Sequence, residues 1–429
     1  QQTPDTSDNE SLSVGKPVMP PWLQIDSMSY GQSRIWFPSI YLDDKTTYNC
    51  TTSYRLKGPL DLDRLESALQ RVTQRHESFR TSFHTDSFTG EAKQVILRKS
   101  KFRLRVLGST NDKSDVKREF DKMHNHIYNL EHGDTFQAFL LVHAPDYHTI
   151  IFGYHHIIID GVSWQLTLQD IELHYTSSTK PSSPVQYSLF AKLQRQTVTR
   201  GAYSKQLQFW KSQLHDLPEP LPLFPFVKTG SRREMTNYAT IDLMQPLDAS
   251  LTNKIKAVSK KAKCTTLHFY LTAFQVMLHH FLGVDDQCIG LVDANRNDPN
   301  FMQTIGFLLN FLPLRFSLAN DPSFEYLAQQ TRTSVYAALG NSDIPIDVIL
   351  DGLHVTRLTT SPPLFQTIFN YRMGALKQSS IGDIALEWHD YKDTRTPYDI
   401  AVSVDEKDDG TGGFLSLGLL EYLFDRTGG

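Results

Sequence analysis

The side chains best suited to chemistry in this sequence form one short run: His155, His156, an apolar spacer Ile157-Ile158-Ile159, then Asp160 and Gly161. Imidazole is the side chain whose charge changes nearest neutral pH, so one held rigidly beside a cleft can take up or give back a proton. A carboxylate four residues after His156 can fix the local geometry. The competing reading is a satisfied structural pair of histidines beside an ordinary Asp-Gly turn.

The elements around the run bear on that choice. Thr149 to Tyr154 is β-branched and aromatic and predicts the end of a buried strand. Trp164, Leu168, Ile171 and Tyr175 then recur at helical spacing. The histidines therefore fall where a strand hands over to a helix. Upstream, Phe136 to Val142 predicts a partner strand, joined at Pro145-Asp146. Leu62, Leu65, Leu69 and Val72 mark an amphipathic helix, N-capped by Asp61 and leading into Arg75-His76-Glu77.

The second half repeats this style. A polar loop over residues 177–184, a helical face of Leu207, Trp210 and Leu214, and a Pro-rich connector over 217–225 lead into it. Helices are expected at Leu251 to Lys261, Leu267 to Phe281, Phe324 to Leu339 and Ile346 to Leu353. Strands are expected at Cys288 to Val292, Thr367 to Tyr371 and Phe414 to Leu420. A chain of 429 residues exceeds one ordinary core. The expectation is a flexible polar linker over 1–20 and two α/β lobes, 21–200 and 201–429.

Charge and composition exclude several classes. A net charge of −4 without a Lys/Arg run offers no basic face for nucleic acid. Cys50, Cys264 and Cys288 lack metal-binding spacing and read as thiols of a reducing, cytoplasmic compartment, with no metal expected. No apolar run reaches membrane-spanning length, and the N-terminus does not read as a signal peptide. His279 and His280 sit on a helical pattern ending at Gly283 and are expected to be surface or capping residues.

The His-x-x-x-Asp-Gly run resembles the signature of acyltransferases related to chloramphenicol acetyltransferase, and its doubled His resembles the condensation domains of nonribosomal peptide synthetases. Four further stretches are similar to motifs of that family, in order: Ser27 to Phe37, Arg75 to Phe83, Ile305 to Arg315 and Leu364-Phe365-Gln366. The wording of Leu312 to Phe316 and Ser342 to Pro345 is most like domains fused to fungal reducing polyketide synthases, some of which lack an adenylation module. Two positions depart from the pattern. Leu189 stands where an acid is usual, and Asn341 where a His is usual.

The resemblance implies two acetyltransferase-like lobes in a V, with a tunnel between them and the His motif at its floor. It implies amide formation between a carrier-bound acyl thioester and an amine such as a carrier-bound aminoacyl group. No cofactor is expected in the domain itself; acyl carrier and peptidyl carrier domains would deliver phosphopantetheine arms. Within it, His156 is the expected central residue and His155 a packing neighbour. Asp160 is expected to be structural and paired with an arginine, Arg80 first and Arg296 second. Gly161 is expected to let the thioester approach or to serve as a plain turn residue. Tyr30 and Ser163 are candidates to meet the acyl oxygen, and Trp164 and Asn310 to line the tunnel. A non-condensing docking or gating module of a truncated synthase is the alternative.

Overall fold

In the computed structural model, which describes residues 21–425 other than 109–111, 178–181, 218, 321, 375–378 and 408–411, the strand Tyr147–His155 runs through the middle of a six-stranded sheet. Its residues are buried on both faces, as a central strand requires. Ile150, Phe152 and Tyr154 enter the main apolar core on one face. On the other, Ile151 meets Val116, Phe120 and Met123 of the helix Asp112–His124. A Cβ at Gly153 would lie 2.4 Å from Met123 Cγ, so a glycine there lets that helix close on the strand. The expected linker over 1–20 lies outside the described residues.

The strand order of this sheet is Ser379–Ile381, Ile384–Lys392, Asn49–Lys57, Tyr147–His155, Phe136–Ala144, Leu104–Gly108. The expected hairpin of Phe136 and Thr149 is present, and its strands extend slightly further than the pattern indicates. A second six-stranded sheet has the order Asn310–Ser317, Asp286–Asp293, Thr367–Met373, Ile400–Glu406, Gly413–Leu420, Thr240–Leu247. Both sheets mix parallel and antiparallel neighbours. Each is covered by helices over its own apolar core, so the fold is two α/β lobes.

The second half lends segments to the first. Ile384–Lys392 pairs antiparallel with Asn49–Lys57, and Ile381, Ile384 and Leu386 are buried in the first core. Ile305 and Phe307 of the second half are buried there too. The expected division near residue 200 follows the chain, whereas the packing crosses it twice. Both crossings converge on the strand end that carries His155. Among the described residues no helix is long and apolar enough to cross a membrane.

Candidate active site

The helix Gly161–Thr176 starts at Asp160, whose extended backbone and side chain cap it: Oδ1 accepts the Ser163 N–H at 2.8 Å. Asp160 is 3% exposed, and a carboxylate so buried keeps its charge only if well partnered. Its Oδ2 accepts the Leu308 N–H at 2.9 Å, and Arg296 Nη2 donates to Oδ1 at 3.2 Å. Every partner beyond the cap comes from the second half. Asp160 is therefore a junction between the lobes.

Arg80, the first-choice partner, lies elsewhere. Its guanidinium donates to the Gln74 carbonyl at 3.0 Å and to the Leu97 carbonyl, and faces Glu77 at 3.7 Å. It closes the end of the helix Leu62–Arg75, three residues after Glu77 on the same short turn, and does not reach Asp160. Arg75 and His76 instead pair with Asp170 on the Gly161–Thr176 helix, His76 Nε2 lying 2.8 Å from its carboxylate. The Arg-His-Glu motif thus braces the helix behind the histidines.

Ser163 does not offer its hydroxyl to a substrate. It is fully buried, donates to the Gly306 carbonyl at 2.7 Å, and accepts from the Gly306 N–H and from Arg296 Nη2. Trp164 is a core residue, stacked on Tyr154 and bonded to the Tyr54 hydroxyl at 2.9 Å, so it does not line an open passage. The Tyr30 ring packs under the Arg195 guanidinium, 3.9 Å away. Asn310 borders a small cleft with Ser29, Arg34 and Phe307, but its amide is committed to Ser342 O, Ile344 O and Ile346 N–H.

The two histidines differ. His155 is 2% exposed, and its Nδ1 accepts the Ile157 N–H at 3.3 Å. Burial, and then repulsion from His156, pushes its pKa down to about 3, so it is a neutral cap of the short turn His156–Ile158. His156 is half-buried. Its Nδ1 lies 2.6 Å from the Ile159 carbonyl oxygen, which can only accept, so Nδ1 carries a hydrogen and, in the neutral ring, Nε2 holds the lone pair. That is the tautomer a proton acceptor needs.

Gly161 opens the helix at an exposed position, and a Cβ there would meet only Arg372 Nη1, at 3.6 Å. Its backbone is not left-handed, so no turn conformation demands the glycine. Openness of the surface beside His156 is the feature that remains.

Three further residues lie near His156, of which Phe307 falls within the Ile305 to Arg315 stretch, whereas nothing in the sequence ties Cys50 or Asp393 to the site. Phe307 packs edge-on against the imidazole, with centroids 5.0 Å apart. A Cβ at Gly31 would come within 3.1 Å of that ring, which accounts for a glycine in the opening motif. Cys50 Sγ, an Asp393 carboxylate oxygen and a ring nitrogen of His156 all lie within 4.8 Å of one another. Cys50 precedes the site by about a hundred residues and Asp393 follows by more than two hundred, so nothing local in the sequence links them. The departures from the family pattern stand apart. Leu189 is 45% exposed on the helix Tyr187–Thr199, and Asn341 caps the helix Phe324–Leu339 through Ala337 O. His279 contacts the Val284 carbonyl and Asp285, a carboxylate close in sequence that the helical pattern did not single out.

A profile described as Condensation domain matches residues 24–417. The chain is 48% identical over 413 residues to the polyketide synthase–nonribosomal peptide synthetase hybrid himA of Aspergillus japonicus, covering 94% of this chain and 10% of that protein. It is 45% identical over 410 residues to the PKS-NRPS hybrid synthetase psoA of Aspergillus fumigatus, covering 95% of this chain and 10% of that protein. The chain thus spans about a tenth of the length of the curated relatives it matches. Its fold is similar to that of the condensation domain from the Monacolin K polyketide synthase MokA, with a TM-score of 0.86 and 25% identity over 95% of this chain and 94% of that one.

Proposed function

The chain belongs to the condensation domain family, and on that premise we propose that it forms an amide between an acyl thioester on one carrier protein and an amine on another. The observation that carries this reading is half-buried His156, whose Nδ1 bond to the Ile159 carbonyl turns Nε2 into the acceptor and whose Nε2 makes no hydrogen bond among the described residues. The amine nitrogen attacks the thioester carbon, forming the C–N bond. The π pair moves to the acyl oxygen. Nε2 of His156 takes the proton of the amine. As the C–S bond breaks, that proton passes to the departing phosphopantetheine sulfur. A thioester is already activated, so no covalent enzyme intermediate is needed.

A positioned general base contributes about 10²- to 10⁴-fold, and holding two tethered substrates together contributes as much or more. The carriers supply the phosphopantetheine arms, and the lobe junction supplies the meeting place. The fusion of similar domains to hybrid synthases supports a polyketide acyl donor and an aminoacyl acceptor.

The test is reconstitution. The chain is mixed with an acyl-loaded carrier and a panel of aminoacyl-loaded carriers, and amide product is read by mass spectrometry. Product from wild type and none from His156→Ala is expected. Retained carrier binding with no amide across the panel would instead establish the docking reading.

A further inference from the structure

We propose that Asp393 is the acceptor-side charge of this site: its carboxylate holds the incoming amine nitrogen beside His156 and stabilises the positive charge that the nitrogen acquires on attack. This rests on the amide-forming reading and deepens it by assigning a residue to recognition of the amine. Asp393 follows directly on the strand Ile384–Lys392, the segment that the second half lends to the first sheet. The carboxylate is thereby delivered across the lobe junction to within 4.8 Å of a ring nitrogen of His156.

Its setting is specific. Oδ1 accepts the Thr394 N–H at 2.8 Å and faces the Cys50 thiol at 3.7 Å. Burial first, and then the Asp393 carboxylate, raises the Cys50 pKa well above its ordinary value, so the thiol stays protonated and serves as a donor. These two donors orient the carboxylate; Arg372 feels its charge at a distance, but its Nε and Nη2 are bonded to Asp405. The cations around it are occupied: Arg372 with Asp405, Arg395 with Asp44, Lys392 with Asp121. Among the described residues no ion pair includes Asp393. Its exposed position leaves it open to a ligand from solvent.

The chemistry of the step asks for such a group. A free α-amine has a pKa of about 7.7–8.0, so part of it arrives as ammonium, which a carboxylate attracts and which releases its extra proton to solvent before the neutral amine attacks. On attack the nitrogen becomes positive before its proton leaves, and a fixed negative charge at that atom helps most in the transition state. His156 Nε2 then removes the proton, and the carboxylate stabilises the imidazolium until the departing sulfur claims it. On this proposal Asp393 acts on the nucleophile and leaves donor binding to other residues.

The experiment measures steady-state kinetics with an acyl-loaded carrier as donor and aminoacyl thioesters of N-acetylcysteamine as acceptors. In Asp393→Asn, kcat/KM for the acceptor is expected to fall about 10- to 100-fold, the range for losing a hydrogen bond to a charged group. The donor KM and the melting temperature are expected to stay at wild-type values. Asp393→Glu is expected to recover part of the loss, and Asp390→Asn, on the preceding strand, to lose none. Unchanged acceptor kinetics in Asp393→Asn, or equal losses on the donor and acceptor sides, would overturn the proposal. So would inactivation of wild type by a chelator and its restoration by zinc, since Cys50, His156 and Asp393 would then be metal ligands. Absence of amide from wild type would instead defeat the reading of the whole domain.

Discussion

Adjacent imidazoles with opposite bonding make different predictions on replacement. His156→Ala removes a ring that touches Phe307 and leaves the Asp160 cap intact. Amide formation is expected to fall about 10²-fold or more while the melting temperature changes little, checked by product assay beside calorimetry. His155→Ala removes the acceptor of the Ile157 N–H inside the core. Losing that buried partner costs about 1–3 kcal/mol, so this variant is expected to show a lower urea midpoint with any loss of activity following from it. The run from His155 to Gly161 was legible because strand, turn and helix signals coincide on seven residues. Asp393 was not, because a charged residue in an undistinguished loop acquires meaning only when a distant strand brings it to His156.

Among the elements, the segment from Ile305 to Asn310 does the most to hold the two halves in register. It gives the Gly306 carbonyl to Ser163 and the Leu308 N–H to Asp160, and the Phe307 carbonyl accepts from the Tyr187 hydroxyl at 2.6 Å. A Cβ at Gly306 would fall 2.0 Å from the Tyr187 ring. Gly306→Ala is therefore expected to destabilise by about 1–3 kcal/mol through forced repacking, measured by denaturant unfolding. Arg296→Met leaves the Asp160 carboxylate without its cation and is expected to cost about 3–5 kcal/mol, the usual penalty for breaking a buried pair. Arg80→Met should leave Asp160 untouched; equal coupling of both arginines to Asp160 in double-mutant cycles would falsify this assignment. From sequence, an arginine partner for Asp160 was evident, but two candidates fitted the pattern. Choosing between residues 80 positions before and 136 after takes the tertiary packing, which no local period encodes.

Across the whole molecule, burial of neutral histidines ties stability to pH. His155 is pushed down to about 3, and His124 and His268 to about 4, chiefly by burial. All three are nearly inaccessible, the first two in the first lobe and the third in the second. A depressed folded-state pKa favours the fold fully above the unfolded value of about 6.5, and the advantage is lost as pH falls below it, by up to about 1.4 kcal/mol per pH unit for each ring. The melting temperature is thus expected to drop steadily from pH 6.5 towards 4; a flat profile over that window would show these rings to be protonated when folded. At this scale the alternation of Phe136 to Tyr154 and the helical faces made two α/β lobes legible, whereas the lending of Ile384–Lys392 to the other lobe was not. That strand also shields the long side of Asn49–Lys57, and a sheet margin stripped of its neighbour seeks another. A protein in which the loan slips should therefore not yield quiet, inactive monomers. Two copies would trade strands and build each reaction centre from a pair of polypeptides, so such variants should emerge from size exclusion as intertwined dimers.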